Sequence, residues 1–162
     1  MTNRVLHPDA GQAVRLGPLG VRFMLGPDQT GGGFSLVEHP LAPRGLGAPM
    51  HVHKGEDEYS YVLEGEVGVQ IGDEVVIGRP GDLISKPRGI WHAFWNAGDE
   101  PARLLEIISP SGFEGYFAEL APLLPPERPE PDFAAIAALQ ARYGIEMDMS
   151  SIERLTREHG LA

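Results

Sequence analysis

Residues 45–65 read GLGAPMHVHKGEDEYSYVLEG and residues 81–96 read GDLISKPRGIWHAFWN. The first stretch carries His51 and His53 as a His-x-His pair, then Glu58, then Gly65. The second carries Pro87, Gly89, His92 and Asn96. Three imidazoles and one carboxylate make a mixed nitrogen and oxygen donor set suited to a divalent first-row metal. The glycines and prolines that bracket them specify backbone turns as well as chemistry.

Strand periodicity supports convergence within each stretch. Side chains two apart on a strand point the same way, with Cα atoms roughly 6–7 Å apart. His51 and His53 therefore project from one face and can reach a single ion. Glu58 opens the aromatic and β-branched run Glu58–Leu63, which reads as a strand. Ser60 and Val62 share its face, whereas Tyr59, Tyr61 and Leu63 point the other way. His92 shares a face with Phe94 and Asn96. Alternation alone does not bring the three faces together.

The spacing Gly45-x5-His51-x-His53-x4-Glu58-x6-Gly65, followed by Gly81-x5-Pro87-x-Gly89-x2-His92-x3-Asn96, resembles both motifs of the cupin superfamily at every fixed position. The fifteen intervening residues, Glu66 to Pro80, resemble the short spacing of microbial cupins. This resemblance implies a mainly β fold, a small antiparallel jelly-roll barrel, here with C-terminal α-helices. It also implies that His51, His53, Glu58 and His92 bind one divalent metal per chain, from among Fe, Ni, Mn, Co, Cu and Zn. Among cupins the chain resembles the short bacterial proteins similar to quercetin 2,3-dioxygenase. Glu58–Gly65 and the segment Arg142–Glu146 carry that likeness. It implies a dioxygenase acting on a small hydroxy-ketone or aromatic substrate, with Glu58 doubling as the catalytic base. Two alternatives stand beside it: a non-redox isomerase or decarboxylase using the metal as a Lewis acid, and a non-catalytic cupin that only binds a small molecule.

Composition narrows the partners. The 162 residues suit one domain able to bury a sizeable core. A net charge of −10 argues against nucleic acid or an anionic membrane. With no cysteine there are no disulfides, iron–sulfur clusters or thiolate nucleophiles. No run approaches membrane-spanning length, and the N-terminal residues lack the apolar stretch of a signal peptide. A cytoplasmic location is expected. No Gly-x-Ser-x-Gly elbow supports serine hydrolysis, and Gly31–Gly33 reads as a flexible turn rather than a phosphate cradle.

The expected organisation is a single cupin domain over 1–162 in three regions. Residues 1–44 hold strand candidates at Ala13–Leu16, Val21–Leu25 and Phe34–Glu38, separated by turn-rich stretches such as 26–33. Residues 45–110 form the barrel core, with a tight hairpin at Gly72-Asp73 and a buried strand at Arg103–Ser109. Residues 111–162 turn helical: Phe113, Tyr116, Phe117 and Leu120 form an apolar stripe. A proline-rich linker follows at 125–131. Asp132 is placed to cap a second helix, on which Phe133, Ile136, Leu139 and Tyr143 share a face and which Gly144 stops. Ser150 and Glu153 read as a capping box that opens a third.

Several residues have plainer readings. His7, His39 and His159 are read as surface or core histidines outside the metal set. Asn96 is read as a structural hydrogen-bonder. Trp91 and Trp95 alternate away from His92 and are read as packing or interface residues. Lys86 interrupts an apolar run and is expected to snorkel outward; turned inward, it would bind an anionic substrate. Outward-facing Tyr59, Tyr61, Trp91 and Trp95, with sheet edges that need cover, predict a homodimer.

Overall fold

The structure is a computed structural model that describes residues 5–124 and 130–162. Most of the proline-rich linker lies outside the described residues. The three N-terminal strand candidates appear as β1 (Ala13–Leu16), β2 (Leu19–Leu25) and β3 (Ser35–Leu41). Next come β4 (Leu46–His53), β5 (Asp57–Glu64), β6 (Val67–Ile71), β7 (Glu74–Gly78), β8 (Leu83–Lys86), β9 (His92–Asn96) and β10 (Ala102–Ser109). Gly72-Asp73 makes the two-residue connection between β6 and β7, whose register pairs Ile71 with Glu74.

The strands form two antiparallel sheets, in the orders β1-β2-β3-β10-β5-β8 and, with β11 (Ile145–Asp148), β11-β4-β9-β6-β7. Among the described residues the sheets stay separate, facing each other in a jelly roll without closing into one hydrogen-bonded ring. Their inner faces follow the period-two pattern. Along β10, Ala102, Leu104, Glu106 and Ile108 are buried while the residues between them are partly exposed. Val37, Val62, Val67, Val69, Leu104 and Ile108 have no exposed surface and form the middle of the core. Each such side chain contributes roughly 1.5–3 kcal/mol relative to exposure.

Helices close two sides. The turn-rich stretch after β2 contains one helical turn, α1 (Pro27–Thr30). Helix α2 (Glu114–Leu120) buries Tyr116, Phe117 and Leu120, so its stripe lies over the mouth between the sheets. Helix α3 (Phe133–Tyr143) starts as expected, with the Asp132 carboxylate accepting from Ala135 N–H, and ends at Gly144 in the left-handed region (φ 64°). Its expected apolar face is only partly used: Leu139 is buried, but Phe133 is exposed. Helix α4 (Ser151–His159) lacks the expected capping box, because the Ser150 hydroxyl donates to Asp148 instead. Met50 N–H donates to the Ser151 hydroxyl at 2.9 Å, which ties α4 to β4. Trp95 points away from the metal face as alternation requires, yet α4 covers it. It is 1% exposed and stacks on His159 at 4.0 Å between ring centroids. No described helix is long and apolar enough to cross a membrane.

Candidate metal centre

Register brings the ligand candidates together from three strands. His51 on β4 lies opposite His92 on β9. Glu58 on β5, in the other sheet, lies between Lys86 on β8 and Ile108 on β10. Gly89, with φ at 77°, turns the chain ahead of β9, and its N–H donates to His53 C=O at 2.8 Å. A side chain at that φ is strained, so the glycine is needed where the two ligand segments are tied. One donor atom from each of His51, His53, Glu58 and His92 falls within 4.8 Å of the others, and all four residues are buried. This cluster could hold a metal ion.

The hydrogen bonds around the cluster fit that use. The carbonyls of Pro49 and Ile90 accept from Nδ1–H of His51 (2.7 Å) and His92 (3.0 Å). Each bond fixes the tautomer and leaves Nε2 as a bare lone pair, the arrangement usual behind metal-bound histidines. His92 Nε2 then faces Glu58 Oε2 at 3.2 Å, two acceptors with no proton of their own to share. His53 Nε2 lies 3.5 Å from Glu58 Oε1, and both His53 ring nitrogens are buried without a hydrogen bond. Ligands about 2.0–2.2 Å from one ion lie roughly 3–3.5 Å from each other. A cation resolves the facing lone pairs and takes up the orphaned His53 Nε2, while His53 Nδ1 lies toward Glu56 Oε2 at 3.7 Å.

The electrostatics are those of a buried site. Burial holds the His51 imidazole well below its ordinary range, and His92 and His53 add to the effect. Burial also lowers His92. Burial alone would raise the Glu58 carboxyl, but Lys86, His53 and His92 outweigh it and keep Glu58 well below the usual carboxylate range.

Lys86 is the main departure from expectation. It points inward, alternating with exposed Leu83 and Ser85, and its side chain has no exposed surface. Its ammonium lies 2.9 Å from Glu106 Oε2 and 3.2 Å from Glu58 Oε2, and over the Phe94 ring at 5.1 Å. Ser60 Oγ–H donates to the same Glu106 oxygen at 2.7 Å. Saturated by two carboxylates, Lys86 is not placed to bind an anionic substrate. Burial pushes Glu106 up to about 7, against the pull of Lys86. No motif marks Glu106 in the sequence, although β10 alternation places it inward with Leu104 and Ile108. Asn96 is a structural bracket: its amide donates to the carbonyls of Leu41, Ala42 and Glu100, and its oxygen accepts from Gly98 N–H.

Two cavities meet here. A chamber of about 30 Å³ is lined by His51, His53 and Glu58, and also by His39 and Glu106. Against it lies an apolar vestibule of about 190 Å³. Both are bounded by Leu19, Ala48, Tyr116, Phe117 and Met147, so side chains from α2 and β11 stand between them.

Residues 38–108 match the family described as the cupin domain. The match covers less than half of the chain. A tetracenomycin polyketide synthase protein, TcmJ of Streptomyces glaucescens, is 33% identical over 90 residues, 55% of this chain and 60% of that protein. Oxidoreductase iacF of Pestalotiopsis fici is 42% identical over 60 residues, 36% of this chain and 29% of that one. The chain thus spans less than two thirds of either relative. The crystal structure of a predicted oxalate decarboxylase from Thermotoga maritima superposes with a TM-score of 0.61 at 21% identity, covering 65% of this chain and 97% of that one. At that identity the likeness is one of fold.

Proposed function

We propose that this protein, read as one cupin domain over 1–162, is a metal-dependent dioxygenase of the quercetinase-like kind. It would act on a small hydroxy-ketone or aromatic substrate, with His51, His53, Glu58 and His92 as ligands. The observation that carries this reading is the buried four-residue cluster beside a small chamber, with an apolar vestibule on the far side of Tyr116, Phe117 and Met147. Relatives whose names speak of oxidoreduction and of polyketide synthesis support it. A bound redox-active ion would supply activation of dioxygen and of a coordinated substrate oxygen. The chain's own residues do the rest. The vestibule walls hold the apolar body of the substrate and keep water out. Glu58 accepts a proton from the substrate hydroxyl, and Lys86 orients the Glu58 carboxylate through Oε2.

The test is an oxygen electrode with 3-hydroxyflavone on metal-loaded protein. Oxygen uptake matching substrate loss is expected. Glu58→Gln should keep most of its metal through the three histidines and lower turnover by roughly 10²–10⁴-fold. Activity that falls only in step with metal content would leave Glu58 a ligand and no base. The Lys86 ion pair favours a second reading, because a carboxylate held this low is a weak proton acceptor. On that reading the protein is a Lewis-acid isomerase or decarboxylase, and turnover would be equal with and without oxygen.

The proposal includes a homodimer. Tyr61, Val75, Ile77 and Leu83 are exposed on β5, β7 and β8, and β7 and β8 are edge strands. Apolar side chains at unpaired edges call for cover. Light scattering at micromolar concentration should give about twice the 17.5 kDa chain mass, and a value near one chain mass would rule the dimer out.

A further inference from the structure

His39 is the chamber residue that the metal reading leaves unused. It lies on the inward face of β3 between Val37 and Leu41 and is 1% exposed. Its Nδ1–H donates to the Gly20 carbonyl on β2 at 2.9 Å, so Nε2 carries a lone pair and no proton. No described residue hydrogen-bonds that nitrogen. The ring stands edge-on to Phe117 at 5.3 Å and lines the same chamber as His51, His53 and Glu58, outside their 4.8 Å cluster. Burial pushes its imidazole down to about 4, which keeps it a neutral acceptor at ordinary pH. The ammonium nearby, Lys86, is already held by Glu58 and Glu106. Apart from the metal ligands, the chamber lining offers an incoming molecule the bare His39 acceptor, the unpartnered Glu106 Oε1, the buried Tyr116 hydroxyl and otherwise apolar walls, with no unpaired cation among the described residues.

We infer that His39 Nε2 accepts a hydrogen bond from a substrate hydroxyl beside the metal ligands, which selects uncharged, largely apolar hydroxylated molecules and disfavours small dicarboxylates. One substrate oxygen would face the metal ligands, a neighbouring O–H would face His39, and the apolar body would reach the vestibule by displacing the Tyr116, Phe117 and Met147 side chains that divide it from the chamber of about 30 Å³. A carboxylate turned toward His39 would set lone pair against lone pair. A buried acceptor left without a donor carries the desolvation penalty that makes such sites discriminating.

This inference rests on the metal reading but not on oxygen chemistry, so the test uses zinc-loaded protein, in which binding is read apart from redox turnover. Calorimetry compares catechol with 2-methoxyphenol, which lacks the second donor, and with oxalate. The unaltered protein should favour catechol over 2-methoxyphenol. His39→Phe should reduce that preference by about fivefold, the scale of one hydrogen bond, with zinc content unchanged. His39→Leu serves as a second deletion should the Phe variant not fold, and His39→Gln, which keeps an acceptor oxygen, should retain part of the preference. A structural role would weaken both phenols alike and leave their ratio intact. An unchanged ratio in the deletion variants overturns the inference. So does oxalate binding tighter than catechol, or the absence of phenol binding to the zinc-loaded protein. Failure to take up zinc sinks the metal reading as well, whereas a missing oxygen uptake with 3-hydroxyflavone sinks only the dioxygenase reading.

Discussion

His51→Ala and His92→Ala are each expected to lose metal affinity by at least a hundredfold, since even the partners behind metal ligands are worth about 10–100-fold. The unaltered protein should hold close to one divalent ion per chain by elemental analysis, and the variants far less. Both histidines are held below the ordinary imidazole range by burial, which sets the sign of the acid response. They remain neutral in the fold below pH 6.5, so protons compete for the metal only at lower pH than a free imidazole would require. In metal-free protein the same shift acts on stability. The unfolded chain takes up protons near pH 6.5 that the fold refuses, so stability falls as pH drops below that value. Full metal content in both variants would remove the centre from consideration.

Much of this centre was legible because strand alternation and ligand spacing carry the same information. His51, His53 and Glu58 sit where the period of two puts them, and their neighbours Ser60 and Val62 are buried as that period requires. The strands bounded by glycine turns and the helix stopped by Gly144 were readable for the same local reason. Strand β11 was not. Ile145–Asp148 is four residues long and pairs with β4, about ninety residues earlier, which no local pattern encodes. The cover on Trp95 depends likewise on where α4 docks. Lys86 is different: it shares a face with buried Ile84, so alternation places it inside, against the general habit of lysine to snorkel. Its inward position becomes intelligible only with Glu106, which lies on another strand. His39 reads from sequence as a surface or core histidine, and its burial makes it the second; that its ring borders the chamber is not carried by any local pattern.

The buried Glu58–Lys86–Glu106 chain gives the largest expected change in stability. In metal-free protein Lys86 is the cation that offsets the Glu58 carboxylate, so Lys86→Met should destabilise that form by about 3–5 kcal/mol, the usual cost of breaking a buried ion pair from one side. Chemical denaturation of metal-free protein measures it. Adding Glu106→Gln to Lys86→Met removes one of the two stranded carboxylates and should recover part of the loss. The metal-bound form should respond in the opposite direction. An ammonium 3.2 Å from a ligand oxygen repels a divalent ion bound to that carboxylate, so its removal should tighten zinc binding by roughly tenfold. Zinc should therefore stabilise Lys86→Met more than it stabilises the unaltered protein. The two effects have one physical origin: lysine and metal ion neutralise the same carboxylate. If Lys86→Met instead weakens zinc binding in a folded protein, the orienting contact to Oε2 outweighs the repulsion, and Lys86 acts mainly by aiming Glu58 at the ion.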